Sequence, residues 1–207
     1  MAIVSICDGD RDAVFVTDST RGLIYCADVS TVSYSVFLDV EETRIAPSSD
    51  GHWGANGLAV GRDGRYLYWT NSDHVSIYRI LLDPNNGGNL SPGAEVETVA
   101  NFAGSSTVGF VEDLAVDAEG NLWVATNTDN TIVTVKPDGD CAVTVGAKDE
   151  LTVAGASSVA FGRDDDEYTL YVSTFGAIAA PVSRSIRSPR RLWPLIQGGL
   201  LRGYSHS

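Results

Sequence analysis

Gly57-Leu-Ala-Val60, Arg62-Asp-Gly-Arg65, Leu67-Tyr-Trp-Thr-Asn-Ser72 and Ile77-Tyr-Arg-Ile80 recur, in the same order, as Asp113-Leu-Ala-Val116, Asp117-Ala-Glu-Gly-Asn121, Leu122-Trp-Val-Ala-Thr126 and Ile132-Val-Thr-Val135. A third copy begins as Ser158-Val-Ala-Phe161, Gly162-Arg-Asp-Asp-Asp166 and Leu170-Tyr-Val-Ser-Thr174, and the second half of an earlier one reads Val14-Phe-Val-Thr-Asp-Ser19 with Leu23-Ile-Tyr25. Within one unit a short apolar strand meets an Asp/Gly turn, then a β-branched and aromatic strand, a polar loop and a third alternating strand. Pro137-Asp-Gly139 turns into a fourth strand near Ala142 to Val145, which completes a four-stranded antiparallel unit. Helical periodicity is absent. Four-stranded units of this length predict an all-β chain with β-propeller architecture, in which each sheet buries its faces against its neighbours around a central channel.

The count predicts an incomplete ring: a partial blade from Asp12 to Asp39, full blades over 57–112 and 113–157, and another starting at Ser158. Three to four blades over residues 1–181 fall short of a six-bladed closure, so further blades upstream of Met1 are expected. The 207 residues carry 14 Lys and Arg against 27 Asp and Glu, a net charge of -13. That sign opposes a phosphate-neutralising surface, and no nucleic acid partner is expected. All 27 acids lie in residues 1–167, whereas 168–207 hold five bases and no acid. Residues 182–207, including Ser183-Arg-Ser-Ile-Arg-Ser-Pro-Arg-Arg191, are therefore set apart as a basic, non-repeat tail, disordered or non-native.

No apolar run reaches the ~18 residues of a membrane span, and the N-terminal residues lack the basic flank of a signal peptide. A cytoplasmic protein is expected from the chain as it stands, a secreted one if a signal peptide lies upstream. Cys7, Cys26 and Cys141 lack metal-type spacing and are expected to be small buried hydrophobes.

Loops entering the innermost strands of a propeller converge on one mouth of the channel. Asn56, Asp113 and Ser157 are read at that position, and an amide oxygen and a carboxylate are hard ligands suited to Ca2+ or a similar ion. The same side chains also close turns ahead of strands, so both roles stand open. His52 and Trp53 precede Asn56 in a long loop, where they can line the mouth and contact substrate. Asn71, His74, Asn127 and Asp129 read as turn formers. Trp69 and Trp123 read as inter-blade packing, and Asp164-Asp-Asp-Glu167 as a solvated hairpin turn.

Gly54-Ala-Asn-Gly-Leu-Ala-Val60 with Leu67-Tyr-Trp-Thr-Asn-Ser72, and Glu112-Asp-Leu-Ala-Val-Asp117 with Gly120-Asn-Leu-Trp-Val124, resemble the senescence marker protein, gluconolactonase and luciferin-regenerating enzyme family of six-bladed propellers. Ser157-Ser-Val-Ala-Phe-Gly-Arg163 and Leu170-Tyr-Val-Ser-Thr-Phe-Gly176 resemble its fungal branch, which includes hetero-Diels-Alderases. The resemblance implies a metal-dependent hydrolase of a lactone or related ester. Asn56 and Asp113 are then ligands of a divalent ion (Ca2+ foremost, Zn2+ or Mn2+ otherwise) and Asp113 is the catalytic group; His52, Trp53 and Ser157, from their place at the mouth, are expected to contact a small-molecule substrate. Asp113 departs from the pattern in being followed by Leu114 where the family has Gly. A metal-free cyclase and a non-catalytic binding propeller are the alternatives.

Overall fold

The computed structural model describes residues 3–8, 11–47, 53–176 and 193–196. They form four antiparallel sheets, each a meander in chain order. The first contains β1 (Ile3–Asp8), β2 (Arg11–Asp18), β3 (Leu23–Asp28) and β4 (Ser33–Leu38). In the second, β5 (Ala55–Val60), β6 (Tyr66–Asn71) and β7 (Ser76–Asp83) are followed by the two-residue β8 (Asn89–Leu90), which pairs with the far end of β7. The second sheet's outer strand is β9 (Glu97–Asn101). The third holds β10 (Leu114–Val116), β11 (Leu122–Ala125), β12 (Thr131–Val135) and β13 (Cys141–Gly146). The fourth holds β14 (Ala156–Phe161), β15 (Thr169–Thr174) and β16 (Trp193–Ile196). Strand β5 lies beside β1 and β10, and β10 beside β14, so the first strands form one inner row, as blades of a propeller do.

Period-two alternation sends successive side chains of each strand to opposite faces, and the apolar ones meet across the gaps between sheets. Phe15, Ile24 and Leu38 of the first sheet pack with Leu58, Leu67, Trp69 and Ile80 of the second. Ala59 and Ile77 pack with Leu114, Val124 and Val133, while Ala115, Trp123 and Ile132 pack with Val159, Leu170 and Val172. Trp69 and Trp123 thus sit between blades, as expected. Each indole N–H also finds an acceptor, Glu42 O at 3.0 Å and Asp117 Oδ2 at 2.8 Å. By contrast, Tyr34 and Val36 on the outer face of the first sheet are 76% and 51% exposed.

Three expectations change. The first unit is a complete four-stranded sheet, because Ile3–Asp8 pair with β2 although they lack the Leu-Ala-Val signature. Within the segment set apart as a basic tail, Trp193–Ile196 pair with β15 at the edge of the sheet formed by the described residues, and an edge strand is where a Pro such as Pro194, opposite Tyr171, is tolerated. The rest of 182–207 lies outside the described residues. Cys141 is exposed and Cys26 half-buried, both as free thiols, so neither is a fully buried hydrophobe. Among the described residues no helix is long and apolar enough to cross a membrane.

Candidate functional site

Each of three neighbouring inner strands carries one extra residue at the same height. Asn56 and Gly57 together face Thr70, since Ala55 pairs with Asn71 and Leu58 with Trp69. Ser157 and Ser158 likewise face Ser173. In the third sheet Glu112 N donates to Ala125 O (2.8 Å) while Ala125 N donates to Asp113 O (2.9 Å), so two residues again face one. Such bulges bend a strand and re-aim its side chains. They open onto a groove of about 610 Å³ walled by β5, β10 and β14, with Asn56, Glu112, Asp113, Ser157 and Ser158 among the residues lining it.

The register corrects the placement of Asp113 level with Asn56 and Ser157. Leu58, Leu114 and Val159 pair with Trp69, Val124 and Val172 at matching points of the second strands. Glu112 is therefore the equivalent of Asn56 and Ser157, and Asp113 that of Gly57 and Ser158. The recurrence of Gly57-Leu-Ala-Val60 as Asp113-Leu-Ala-Val116 already implies this equivalence.

The side chains at these positions are held in defined ways. Ser72 Oγ donates its one hydrogen to Val111 O (2.6 Å), so it accepts from Asn56 Nδ2 (3.1 Å). That fixes the amide orientation and leaves Asn56 Oδ1 as the free end. In the next blade the equivalent of Ser72 is Asn127, whose Nδ2 donates to Glu112 Oε2. Burial raises the pKa of Glu112, the Asn127 donor opposes that rise, and the Asp113 charge adds to it. Asp113, half-buried, is also raised by burial, against donors from Ser158 Oγ (2.5 Å) and Val159 N (3.1 Å) that both meet Oδ2.

Gly57 is required by close approach rather than by a special φ. A Cβ there would lie 2.6 Å from Asp113 Cα and 2.6 Å from Glu112 O. Without it, Gly57 N reaches Glu112 O and Thr70 Oγ1, each at 2.8 Å, and the two bulges lock together.

The remaining candidates are less central. Ser157 Oγ turns to Ser173 Oγ of its own sheet (3.1 Å). Trp53 is 50% exposed and sits edge-on against Phe110, their centroids 6.0 Å apart, two residues ahead of Glu112. His52 lies outside the described residues. Asn71 is a turn former in fact: its Oδ1 accepts from Asp73 N and His74 N, and its Nδ2 ties down Glu42 O and Arg44 O. Glu112 and Asn127 are the residues that reading of the sequence missed. Asn127 carried a signal, since it stands where Ser72 does in the repeat.

Residues 34–176 match the family described as SMP-30/Gluconolactonase/LRE-like region. A protein of a Phoma species named for hetero-Diels-Alderase activity is 28% identical over 198 residues, which cover 84% of this chain and 52% of that protein. A pentonolactonase of Haloferax volcanii is 27% identical over 185 residues, covering 83% of this chain and 60% of its own length. The chain thus spans only about half to three fifths of these relatives. A gluconolactonase of Xanthomonas campestris superposes with a TM-score of 0.58 at 19% identity, over 83% of this chain and 52% of that one. A luciferin-regenerating enzyme does so with 0.55 at 20% identity, over 84% and 52%. Inner strands in one row, four meander sheets and a family match across more than half its residues lead to one conclusion: this chain belongs to the SMP-30/Gluconolactonase/LRE-like family of β-propellers.

Proposed function

We propose that the groove is one wall of a lactonase-like hydrolytic site, with Asn56 Oδ1 and Glu112 as oxygen ligands of a divalent cation, Ca2+ foremost. The observation that carries this reading is the paired restraint: Ser72 turns the Asn56 amide oxygen outward, and Asn127 holds one oxygen of Glu112. An amide oxygen and a carboxylate from adjacent inner strands fit a hard cation. Among the described residues no three His, Cys, Asp or Glu cluster as a metal site, so other donors or water complete the shell. When bound, the ion supplies Lewis-acid polarisation of an ester carbonyl. Asp113, whose pKa burial raises, is suited to take a proton from an attacking water. Asp113 does so through the oxygen that does not face Ser158 and Val159. The small-molecule substrate is an aldonolactone or related ester, in keeping with the pentonolactonase among the relatives.

Equilibrium dialysis with Ca2+, Mn2+ and Zn2+ on the wild type, Asn56→Ala and Glu112→Gln, alongside aldonolactone hydrolysis, tests this. Weaker but still measurable binding in both variants is expected. A wild type that binds none of these ions at millimolar concentration overturns it. The half-exposed Trp53 with its edge-on Phe110, together with the Phoma relative, favours a second reading as a metal-free cyclase. Cyclisation of a polyene by chelator-treated protein would decide for that reading.

A further inference from the structure

Asn127 opens the short 3-10 turn Asn127–Asp129 with φ 37°, in the left-handed region that Asn tolerates better than most residues. Its backbone meets the needs of that turn, because Asn127 O accepts from Asn130 N at 3.1 Å. Its side chain takes no part. It is buried and reaches back across the sheet to Glu112 Oε2. Asn71 shows the contrast, spending its side-chain oxygen on the N–H groups of its own turn. The reach also recurs in the second sheet, where Ser72, one strand-length from the bulge, takes the Asn56 amide. In both blades a residue just beyond the second strand, Ser72 directly after β6 and Asn127 two residues after β11, restrains the residue that lines the groove.

We infer that Asn127 is a positioning residue for Glu112, fixing which carboxylate oxygen faces the groove. The inference rests on the reading that Glu112 serves the site. An ionised carboxylate only accepts, so Asn127 must present Nδ2, and Oε2 is occupied by that bond. Oε1 is then the oxygen turned to a ligand. Partners that orient a ligating carboxylate typically contribute 10–100-fold to metal affinity.

Asn127→Gly removes the donor while suiting the positive φ. Mn2+ binding to the full chain should weaken about 10–100-fold, with the circular dichroism of the folded chain retained. In a Glu112→Gln background the same change should shift affinity less than about twofold, because its effect runs through Glu112. In metal-free protein the Asn127 side-chain amide protons should resonate downfield and exchange slowly, and both features should vanish in Glu112→Ala. Unchanged Mn2+ affinity in Asn127→Gly, with wild type binding normally, overturns the positioning role and leaves the metal reading intact. Equal losses in both backgrounds also overturn it, as a merely structural role. If the wild type binds no Mn2+, Ca2+ or Zn2+ yet the amide signature depends on Glu112, the metal reading falls and the positioning role falls with it, leaving only the hydrogen bond.

Discussion

Ser158 of the fourth sheet donates through Oγ to Asp113 Oδ2 of the third at 2.5 Å, and Val159 N reaches the same oxygen at 3.1 Å. A carboxylate at the position where the second blade has Gly57 therefore bridges two blades. Asp113 is the point at which the site and the inter-blade interface share one group.

Removing that bridge leaves Val159 N without its acceptor. Asp113→Ala should destabilise the chain by about 1–3 kcal/mol, whereas Ser158→Ala, which leaves the backbone donor paired, should cost about 0.5–1.5 kcal/mol. Urea denaturation read by tryptophan fluorescence measures both. Equal effects from the two substitutions would show that the backbone bond contributes nothing.

Glu112 should make the protein less stable at neutral pH than in mild acid. Its folded pKa is raised chiefly by burial, so the native state binds its proton more tightly than the unfolded chain does. Stability from this group is full below the unfolded carboxylate range and is lost as pH rises through the raised folded value. Glu112→Gln should accordingly raise Tm at pH 7 in chelator-containing buffer, with the gain fading as pH falls through the raised folded value and gone below the ordinary carboxylate range. A gain that grows on acidification would reverse the assignment.

Gly57→Ala should be costly although the change is one methyl group. The atoms it would meet are backbone, Asp113 Cα and Glu112 O at 2.6 Å each, and they cannot swing aside. About 1–3 kcal/mol is expected from such overpacking, together with altered geometry at Glu112. Gly93→Ala is not a suitable control because of its positive φ; Gly109→Ala, which meets only the Asp129 carboxylate at 3.6 Å, is.

The outer face of the first sheet should make the 207-residue chain self-associate. Tyr34 and Val36 are 76% and 51% exposed, Val32 in the turn before them is 88% exposed, and Tyr25 meets Tyr34 edge-on at 5.8 Å. Exposed apolar sheet faces of this kind drive association. Tyr34→Lys with Val36→Lys should shift the sedimentation profile toward monomer. Monodisperse wild type would show that the face is covered by other means.

The repeat made the architecture legible, because alternating strands separated by Asp/Gly turns admit few arrangements other than stacked meander sheets. Trp69 and Trp123 could be placed between blades from their strand positions alone, and Asn56 could be picked out from Asn-Gly-Leu-Ala. What Asp113, Glu112 and Asn127 do could not be read in this way. A one-residue bulge decides which of two adjacent acids takes the position equivalent to Asn56, and bulges are set by pairing with Thr70, Ala125 and Ser173 rather than by local pattern. The repeat sets Asn127 level with Ser72, but only the folded third sheet brings Glu112 within reach of its amide. Local chemistry names strands and turns. Register and the approach of one blade to the next decide which polar atoms are left free to act.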